Sequence, residues 1–185
     1  MSALSIYNED GSFTGETLTE EAEISRVLGE MGVQFERWQT QQPLEAAAGQ
    51  EAVLAAYSVD VDRLNRQYGF QSVDVVALTP DHPDREILRK KFLAEHTHDD
   101  FEIRFFVDGQ GLFYLHIGDK VYLTLCERGD LISVPAQTTH WFDMGAAPDF
   151  KCIRLFTTAD GWVGNFTGSD IADRFPDFDA YRAGP

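Results

Sequence analysis

The spacing of three histidines and one glutamate constrains this chain more than any other feature. His96 and His98 are separated by one residue, Glu102 follows four positions later, and His140 lies in a second segment. Even-numbered residues on one β-strand project from the same face, whereas a helix would place His96 and His98 about 200° apart. Imidazole and carboxylate groups together suit a divalent metal such as iron(II), nickel(II), manganese(II) or zinc(II). The pattern predicts a metal site inside a β-barrel, with these four residues as ligands.

A lone histidine is more often an ordinary surface or core residue than a ligand. We interpret His82, in a turn-like segment, and His116, close to a Gly-Asp turn, in that way. The clustered residues differ, because each unpaired polar group buried in a barrel would cost on the order of 2–7 kcal/mol. A bound metal removes that cost, so the cluster favours a metal site.

The composition is that of a globular protein with one domain. The chain has 185 residues, of which 43% are hydrophobic and 25% charged, and a chain of this length buries roughly 70% of its unfolded surface. Because it contains no apolar run of about 18 residues and its N-terminus does not resemble a signal peptide, we expect a cytoplasmic protein without a membrane span. Cys126 and Cys152 lie in apolar stretches and are expected to be free, buried thiols.

The formal net charge of −16 at pH 7 makes nucleic acids and anionic membranes unsuitable partners. It favours a monomer as the default state. It also raises a question about any anionic substrate, because local positive charge would have to overcome the overall field. Buried arginines are therefore candidates for substrate binding.

The first part of the chain mixes helix and strand patterns. Residues 2–7 alternate weakly and are expected to form an edge strand. Apolar residues at helical spacing predict a helix over 20–31, which Gly32 would end. Further elements are predicted as a strand at 33–38, helices at 45–57 and 59–68, and a strand at 73–78.

From about residue 87 onward, short apolar strands follow one another with turns between them, which predicts antiparallel hairpins. The fold class is therefore mainly β (α+β), an antiparallel barrel or jelly roll whose peripheral helices lie mostly in the N-terminal half. We expect a single domain over 1–185, with a mixed helix and strand decoration (1–85), a metal-binding barrel core (86–158) and a C-terminal loop and helical segment (159–185). The predicted core strands are 101–107, 112–117, 120–126, 131–134, 139–143 and 151–157, with turns at 108–111, 118–119 and 128–130.

Two segments resemble the two cupin motifs. The string H-x-H-x3-E-x6-G beginning at His96 resembles the first motif, and G-x5-P-x4-H ending at His140 resembles the second. Gln137 stands where the second motif usually has glycine and Met144 where it often has asparagine, but neither departure removes a ligand. The longer strings AEHTH (94–98) and PAQTTHWFDMG (135–145) resemble the acireductone dioxygenases, and this resemblance extends over the whole chain, including DGW (160–162).

The resemblance implies a cupin-type enzyme of methionine salvage that cleaves an acireductone with O2. It implies one divalent transition metal, Fe(II) or Ni(II), with Co(II) or Mn(II) as possible substitutes. In that family Fe(II) is associated with formate and 4-methylthio-2-oxobutanoate, and Ni(II) or Co(II) with CO, formate and 3-(methylthio)propanoate. Four protein ligands leave two positions on a six-coordinate metal for substrate oxygens, whereas a tetrahedral structural zinc would be closed. The residue types alone fit both.

Arg104 is the predicted catalytic residue. It shares the even-numbered face with Glu102, and a buried guanidinium stabilises an enolate without losing its proton. The alternative is an arginine that only pairs with Glu102 or Asp100. Arg154, in a later apolar strand, is a weaker candidate of the same kind for substrate binding.

The methylthio tail of such a substrate needs an apolar wall. Phe92, Phe142 and Trp162 are the predicted substrate-binding aromatics, although any one of them could instead be ordinary core. Glu95 and Phe101 have odd numbers and are expected to point away from the metal, with Glu95 assisting metal entry and Phe101 anchoring the ligand strand.

Two alternatives to this function remain open. One is another cupin dioxygenase acting on a different ene-diol or a diketone. The other is a non-catalytic metal-binding cupin, which would have a site saturated by protein groups without exchangeable water.

Overall fold

Antiparallel strands form most of the regular structure in the computed structural model, which describes residues 1–39, 44–45 and 48–184. The helices are α1 (Glu21–Glu30), α2 (Gln50–Ala56), α3 (Ser58–Tyr68), α4 (Arg85–Leu93) and α5 (Phe178–Ala183), with one 3-10 turn at Ile171–Arg174. The strands are β1 (Ala3–Asn8), β2 (Phe13–Leu18), β3 (Gln34–Arg37), β4 (Ser72–Leu78), β5 (His96–Thr97), β6 (Glu102–Ile117), β7 (Lys120–Glu127), β8 (Asp130–Val134), β9 (Thr139–Asp143), β10 (Phe150–Phe156) and β11 (Asn165–Phe166).

The strands form two sheets that share β6. One sheet has the order β11-β5-β9-β6-β7-β1-β2, and the other has the order β4-β10-β6-β8-β3. This arrangement confirms the predicted mainly β, cupin-type fold with helices around it. The barrel is open, however, because the outermost strands of the two sheets do not pair with one another in the described part of the chain.

The long strand β6 passes from one sheet to the other. Its first half pairs with β8 and β10, and its second half pairs with β7 and β9. The prediction of two strands joined by a turn at 108–111 was therefore wrong. Gly109 has a positive φ of 74° but still pairs with Phe150 of β10, and the register shifts just before it, between Phe106 and Asp108. The turn-like sequence therefore continues as a strand with a bulge instead of forming a hairpin.

Two glycines allow β6 to pack closely against its neighbours where it passes from one sheet to the other. A Cβ at Gly109 would collide with the backbone oxygen of Asp149, and a Cβ at Gly111 would collide with the ring of Phe142. The absence of a side chain therefore lets β10 and the ring of Phe142 pack directly against β6.

Several elements differ from the sequence predictions. The segment 2–7 was predicted to be an edge strand, but β1 lies between β2 and β7. The pattern missed β2 because its side chains are mostly exposed, so it lacks alternation. The helix predicted over 45–57 begins only at Gln50, and residues 46–47 of that range lie outside the described residues. Helix α4 was not predicted, whereas the 3-10 turn and α5 lie in the segment 159–185 that was expected to be loop and helical.

The predicted segments 1–85 and 86–158 are joined by strand pairing. Strands β1, β3 and β4 pair with β7, β8 and β10, so the N-terminal segment contributes to both sheets. Cys126 and Cys152 are buried and free as expected, and burial raises the pKa of the Cys152 thiol to about 12. Among the described residues, no helix has both the length and the apolar character needed to cross a membrane.

Asp143, at the end of β9, joins three elements through its fully buried carboxylate. Arg89 of α4 donates from Nε and Nη2 to its two oxygens at 2.7 and 2.8 Å. The backbone N–H groups of Gly145 and Phe178 also donate to it. Burial alone would raise the pKa of Asp143, but the Arg89 hydrogen bonds and these two backbone donors lower it.

We expect Gly111→Ala to destabilise the fold, because the added methyl group overlaps the buried ring of Phe142. The free energy of unfolding should fall by about 1–3 kcal/mol in urea titrations followed by circular dichroism. Gly29→Ala is the matched control, since Gly29 lies in α1 with open space around its Cα, and it should be neutral or stabilising. Equal unfolding midpoints for both variants would contradict the close packing of the Phe142 ring against Gly111.

The lowered pKa of Asp143 predicts acid-dependent stability. Its contribution is present above the unfolded pKa of about 4 and is lost as the pH falls through the lower folded value. Asp143→Asn should therefore lower the free energy of unfolding by about 3 kcal/mol at pH 7 and flatten its decline below pH 4, with a chelator present throughout. The exposed Asp62→Asn is the control. An unchanged acid slope in Asp143→Asn would refute the assignment.

Candidate metal centre

The four predicted ligands converge from three strands. His96 lies in β5 and His98 follows it, Glu102 begins β6, and His140 lies in β9 directly opposite His96. One donor atom from each lies within 4.8 Å of all the others. The single strand expected through 96–104 is interrupted at 98–101, so tertiary packing, in addition to strand parity, brings the side chains together. All four residues are buried.

Backbone carbonyl groups orient the three imidazole rings. The Nδ1 atoms of His96, His98 and His140 lie 2.7–2.8 Å from the carbonyl oxygens of Ala94, Val163 and Thr138, respectively. An Nδ1–H that donates to a carbonyl leaves Nε2 unprotonated and able to coordinate a metal. The three contacts therefore select one tautomer and direct the Nε2 atoms to a common point.

The electrostatics of the group fit a bound cation. Nε2 of His140 and Nε2 of His98 lie 2.7 and 3.0 Å from the same oxygen of Glu102, while its other oxygen has no hydrogen bond to any described residue. If the protons are on Nδ1, each of these contacts brings an Nε2 lone pair against a carboxylate lone pair, which is repulsive. The repulsion is removed if the imidazole is protonated or if a cation lies between the two atoms. Three imidazoles and a carboxylate are also a suitable donor set for a divalent transition metal. The residues present therefore fit the implied metal.

The pKa values in the group shift in different directions. Burial, followed by the charge of His140, lowers the pKa of His96 to about 4. Burial opposes protonation of His98, but its hydrogen bond and charge contact with Glu102 raise its pKa. Burial would raise the pKa of Glu102, but the charge of Arg104 and contacts with the histidines lower it well below its usual value. The carboxylate is therefore ionised and one imidazole remains neutral at pH 7.

Arg104 lies beside the ligands and is almost completely buried. Its guanidinium lies over the ring faces of Phe142, Phe113 and Phe92, at 4.7, 5.4 and 5.8 Å from their centroids. Its Nε lies 2.6 Å from Oε1 of Glu102, but the angles do not form a hydrogen bond. Arg104 therefore forms an ion pair with Glu102, which is the contact that the alternative interpretation of Arg104 expected. Arg104 also lines the adjacent cavity.

A cavity of about 270 Å³ opens beside the ligands. The four predicted substrate-binding residues, Phe92, Phe142, Arg154 and Trp162, all line it. Arg154 pairs with Asp74, donating from Nε and Nη2 at 2.9 and 2.7 Å, so its charge is neutralised. Trp162 is 53% exposed at the mouth of the cavity.

Glu95 and Phe101 do not line the cavity, in line with their odd-numbered positions. Glu95 is buried and contacts Nδ1 of His116 at 2.8 Å, and it accepts from the hydroxyl of Thr167 at 2.7 Å. Phe101 packs edge-on against Tyr68 of α3, with ring centroids 5.2 Å apart. These contacts therefore stabilise the ligand-bearing segment on the side that faces away from the cavity.

The loop at 157–164, which carries the predicted Trp162, also supports the metal ligands, and this second role was not predicted. Asp100 is buried and accepts hydrogen bonds from the backbone N–H groups of Thr157 and Thr158 at 2.6 and 2.9 Å. The same loop provides the Val163 carbonyl for His98, and Gly164 packs against the ring of His96. The available signal was an aspartate two residues after a ligand histidine, but Asp100 was considered only as an alternative partner of Arg104.

The helix α4 also borders the site and was not predicted. Leu88, Lys91 and Phe92 of α4 line the cavity, as does His82 just before it. Leu88 and Phe92 are spaced four apart, which is a helical signal. The prediction instead placed the start of the strand region at about residue 87, so this spacing was not used.

Comparisons with known proteins agree with this geometry. A model described as the ARD/ARD' family matches residues 6–164. An acireductone dioxygenase from Methylococcus capsulatus is 59% identical over 98% of this chain and 97% of its own length. Another from Aquifex aeolicus is 55% identical, with 97% of each chain covered.

The fold comparison identifies the same group. The structure of an acireductone dioxygenase from Bacillus anthracis, with a cadmium ion in its active centre, aligns with a TM-score of 0.79 and 28% identity. The alignment covers 90% of this chain and 98% of that one. Since the family model and the curated relatives span nearly the whole sequence, the chain belongs to the ARD/ARD' family.

Proposed function

We propose that this protein is a metal-dependent acireductone dioxygenase of methionine salvage that cleaves 1,2-dihydroxy-3-keto-5-(methylthio)pentene with O2. The observation that carries the proposal is that three residues of the four-ligand group, His96, His98 and Glu102, line an open cavity. A closed structural metal site would have no such space beside it. The names of the curated relatives support the same reaction.

We assign His96, His98, Glu102 and His140 as the ligands of one Fe(II) or Ni(II), with Co(II) or Mn(II) as substitutes. When bound, the metal supplies a Lewis-acidic centre for substrate oxygens and the redox chemistry of O2. The three imidazoles are already oriented by their Nδ1 contacts, so little reorganisation accompanies binding. Glu102 neutralises one of the two positive charges.

We assign Arg104 to the anionic form of the substrate. An acireductone is an ene-diol ketone that loses a proton readily, and the guanidinium of Arg104 donates hydrogen bonds to the resulting oxygen while it remains charged itself. The aromatic rings of Phe92, Phe113 and Phe142 hold the guanidinium at the inner end of the cavity. Arg104 therefore favours the deprotonated substrate in a water-poor environment.

The remaining predicted residues receive supporting roles. Phe92 and Phe142 provide apolar surface for the methylthio tail, and Trp162 covers it at the mouth. Arg154 is a weaker polar contact, because Asp74 already occupies its guanidinium. Phe101 is assigned to anchoring of the ligand strand. The role in metal entry that was expected of Glu95 is not retained, because its buried carboxylate is held by His116 and Thr167 and does not line the cavity.

We also propose that the protein acts as a cytoplasmic monomer with one domain over residues 1–185. The strands shared between its N-terminal and central segments support a single folding unit. The net charge of −16 supports a dispersed, monomeric state, because copies repel one another.

Metal loading tests the proposed function. The purified protein should contain about one transition-metal ion per chain, and the chelator-treated protein should regain O2 consumption with the acireductone on addition of Fe(II) or Ni(II). Product analysis should detect 4-methylthio-2-oxobutanoate with Fe(II) and CO with Ni(II). His140→Ala should lose metal, whereas His82→Ala, which removes a histidine that only lines the cavity, should retain it.

Three results would redirect this assignment. Identical products with both metals would contradict metal-dependent cleavage. Turnover of other ene-diols but not of the acireductone would indicate a different cupin dioxygenase. A metal-loaded protein without exchangeable water or turnover would be a binding protein only.

Arg104→Ala should reduce kcat/KM for the acireductone by about 100-fold or more, because the anionic substrate loses its charged donor. Metal content by elemental analysis should remain near one per chain, since the four ligands are unchanged. Arg104→Lys keeps the charge without the planar guanidinium, so its kcat/KM should lie between those of the parent protein and Arg104→Ala. Normal turnover in Arg104→Ala would leave Arg104 as only the ion-pair partner of Glu102.

A further inference from the structure

We propose that Lys91 captures the anionic acireductone at the mouth of the cavity and increases its rate of entry towards Arg104. The inference rests on the proposed function, because it requires a substrate that carries negative charge. Lys91 lies in α4 and lines the same cavity as the metal ligands. It is exposed, so its ammonium group meets solvent as well as the cavity.

The other lysine and arginine side chains of the cavity are already paired. Arg104 lies against Glu102 at 2.6 Å, and Arg154 forms two hydrogen bonds with Asp74. Among the cavity-lining cations of the described residues, Lys91 is the one without a carboxylate within 4 Å. Its charge is therefore available to an incoming anion.

Lys91 is also placed across the entrance. Its Nζ lies 5.8 Å from the centroid of the Trp162 ring, which belongs to the loop at 157–164. Asp100 anchors this loop through Thr157 and Thr158. The contact between the ammonium and the ring face therefore holds the charge beside Trp162 in the cavity lining.

The overall charge makes such a group effective. A protein of net charge −16 repels an anion at long range, and a cation beside the low-dielectric wall of a cavity creates a local field of opposite sign. Such an effect acts on substrate association rather than on bond cleavage, and salt screens it over about 10 Å at 0.1 M ionic strength. The signature of this role is therefore a salt-dependent kcat/KM.

Lys91→Gln and Lys90→Gln form a matched pair. Lys90 is the neighbouring residue on the same helix, exposed, and does not line the cavity. Both substitutions remove one positive charge, so they change the net charge equally. Steady-state kinetics of each metal-loaded variant with the acireductone should be measured from about 0.02 to 0.5 M ionic strength.

We expect Lys91→Gln to lower kcat/KM by about 3- to 10-fold at the lowest ionic strength, with kcat within about twofold of the parent protein. The deficit should shrink to less than about twofold at the highest ionic strength. Lys91→Arg should restore kcat/KM, and Lys90→Gln should match the parent protein. Calorimetric titration with the acireductone under nitrogen should show the same salt-dependent loss of affinity in Lys91→Gln.

Three results would overturn the inference: equal kcat/KM for the two glutamine variants, a deficit that persists at high salt, or a loss confined to kcat. A persistent deficit would indicate lost packing against Trp162 instead of lost charge. Failure of the proposed function is distinguishable, because then the parent protein itself would not consume O2 with the acireductone under any metal.

Discussion

The structure depends on one strand, β6, being shared by both sheets. The first half of β6 carries Glu102 and Arg104 and pairs with β8 and β10, whereas its second half places Leu115 opposite His140 of β9. For β6 to pair in both sheets, residues 109 and 111 must be glycines. A side chain at Gly109 would overlap Asp149, and a side chain at Gly111 would overlap Phe142. Because these two glycines permit the bend, ligands separated by more than 40 positions in sequence meet in one buried group.

The same group shows why the fold must be assembled before the site exists. One carboxylate, three imidazoles and a guanidinium are costly to bury unless each has a partner. The backbone carbonyls of Ala94, Thr138 and Val163 satisfy the Nδ1 atoms, but Val163 belongs to a loop that is held in place by Asp100. The remaining Nε2 and carboxylate atoms face one another, which is the arrangement that a divalent cation stabilises.

Charge is distributed unevenly over this acidic protein. The cavity collects cationic side chains, of which Arg104 and Arg154 are compensated by Glu102 and Asp74. Buried arginines were the groups expected to provide positive charge for an anionic substrate. Arg104 remains the inner candidate, but Lys91 of the unpredicted helix α4 is the cavity-lining cation that has no carboxylate within 4 Å among the described residues.

Most of the candidate site was predictable because its residues carry local patterns. The H-x-H-x3-E string and the later His140 specified the ligands, and apolar runs specified most strands of both sheets. Prediction failed where a local pattern has two structural outcomes. Gly109 has the positive φ of a turn, yet it pairs with Phe150 of β10 and the strand continues through it, with a register shift between Phe106 and Asp108. The exposed strand β2 has no alternation, so β1 was wrongly assigned to the edge.

The sequence by itself determined the ligand set, the mainly β class and the resemblance to acireductone dioxygenases, since these depend on residue type and short spacing. Only the tertiary structure decided that the sheets remain open, that Arg104 contacts Glu102, and that Asp100 anchors the loop bearing Val163. It also decided that Lys91, rather than Lys90, borders the cavity. These features depend on contacts between residues far apart in the chain, which local patterns do not encode.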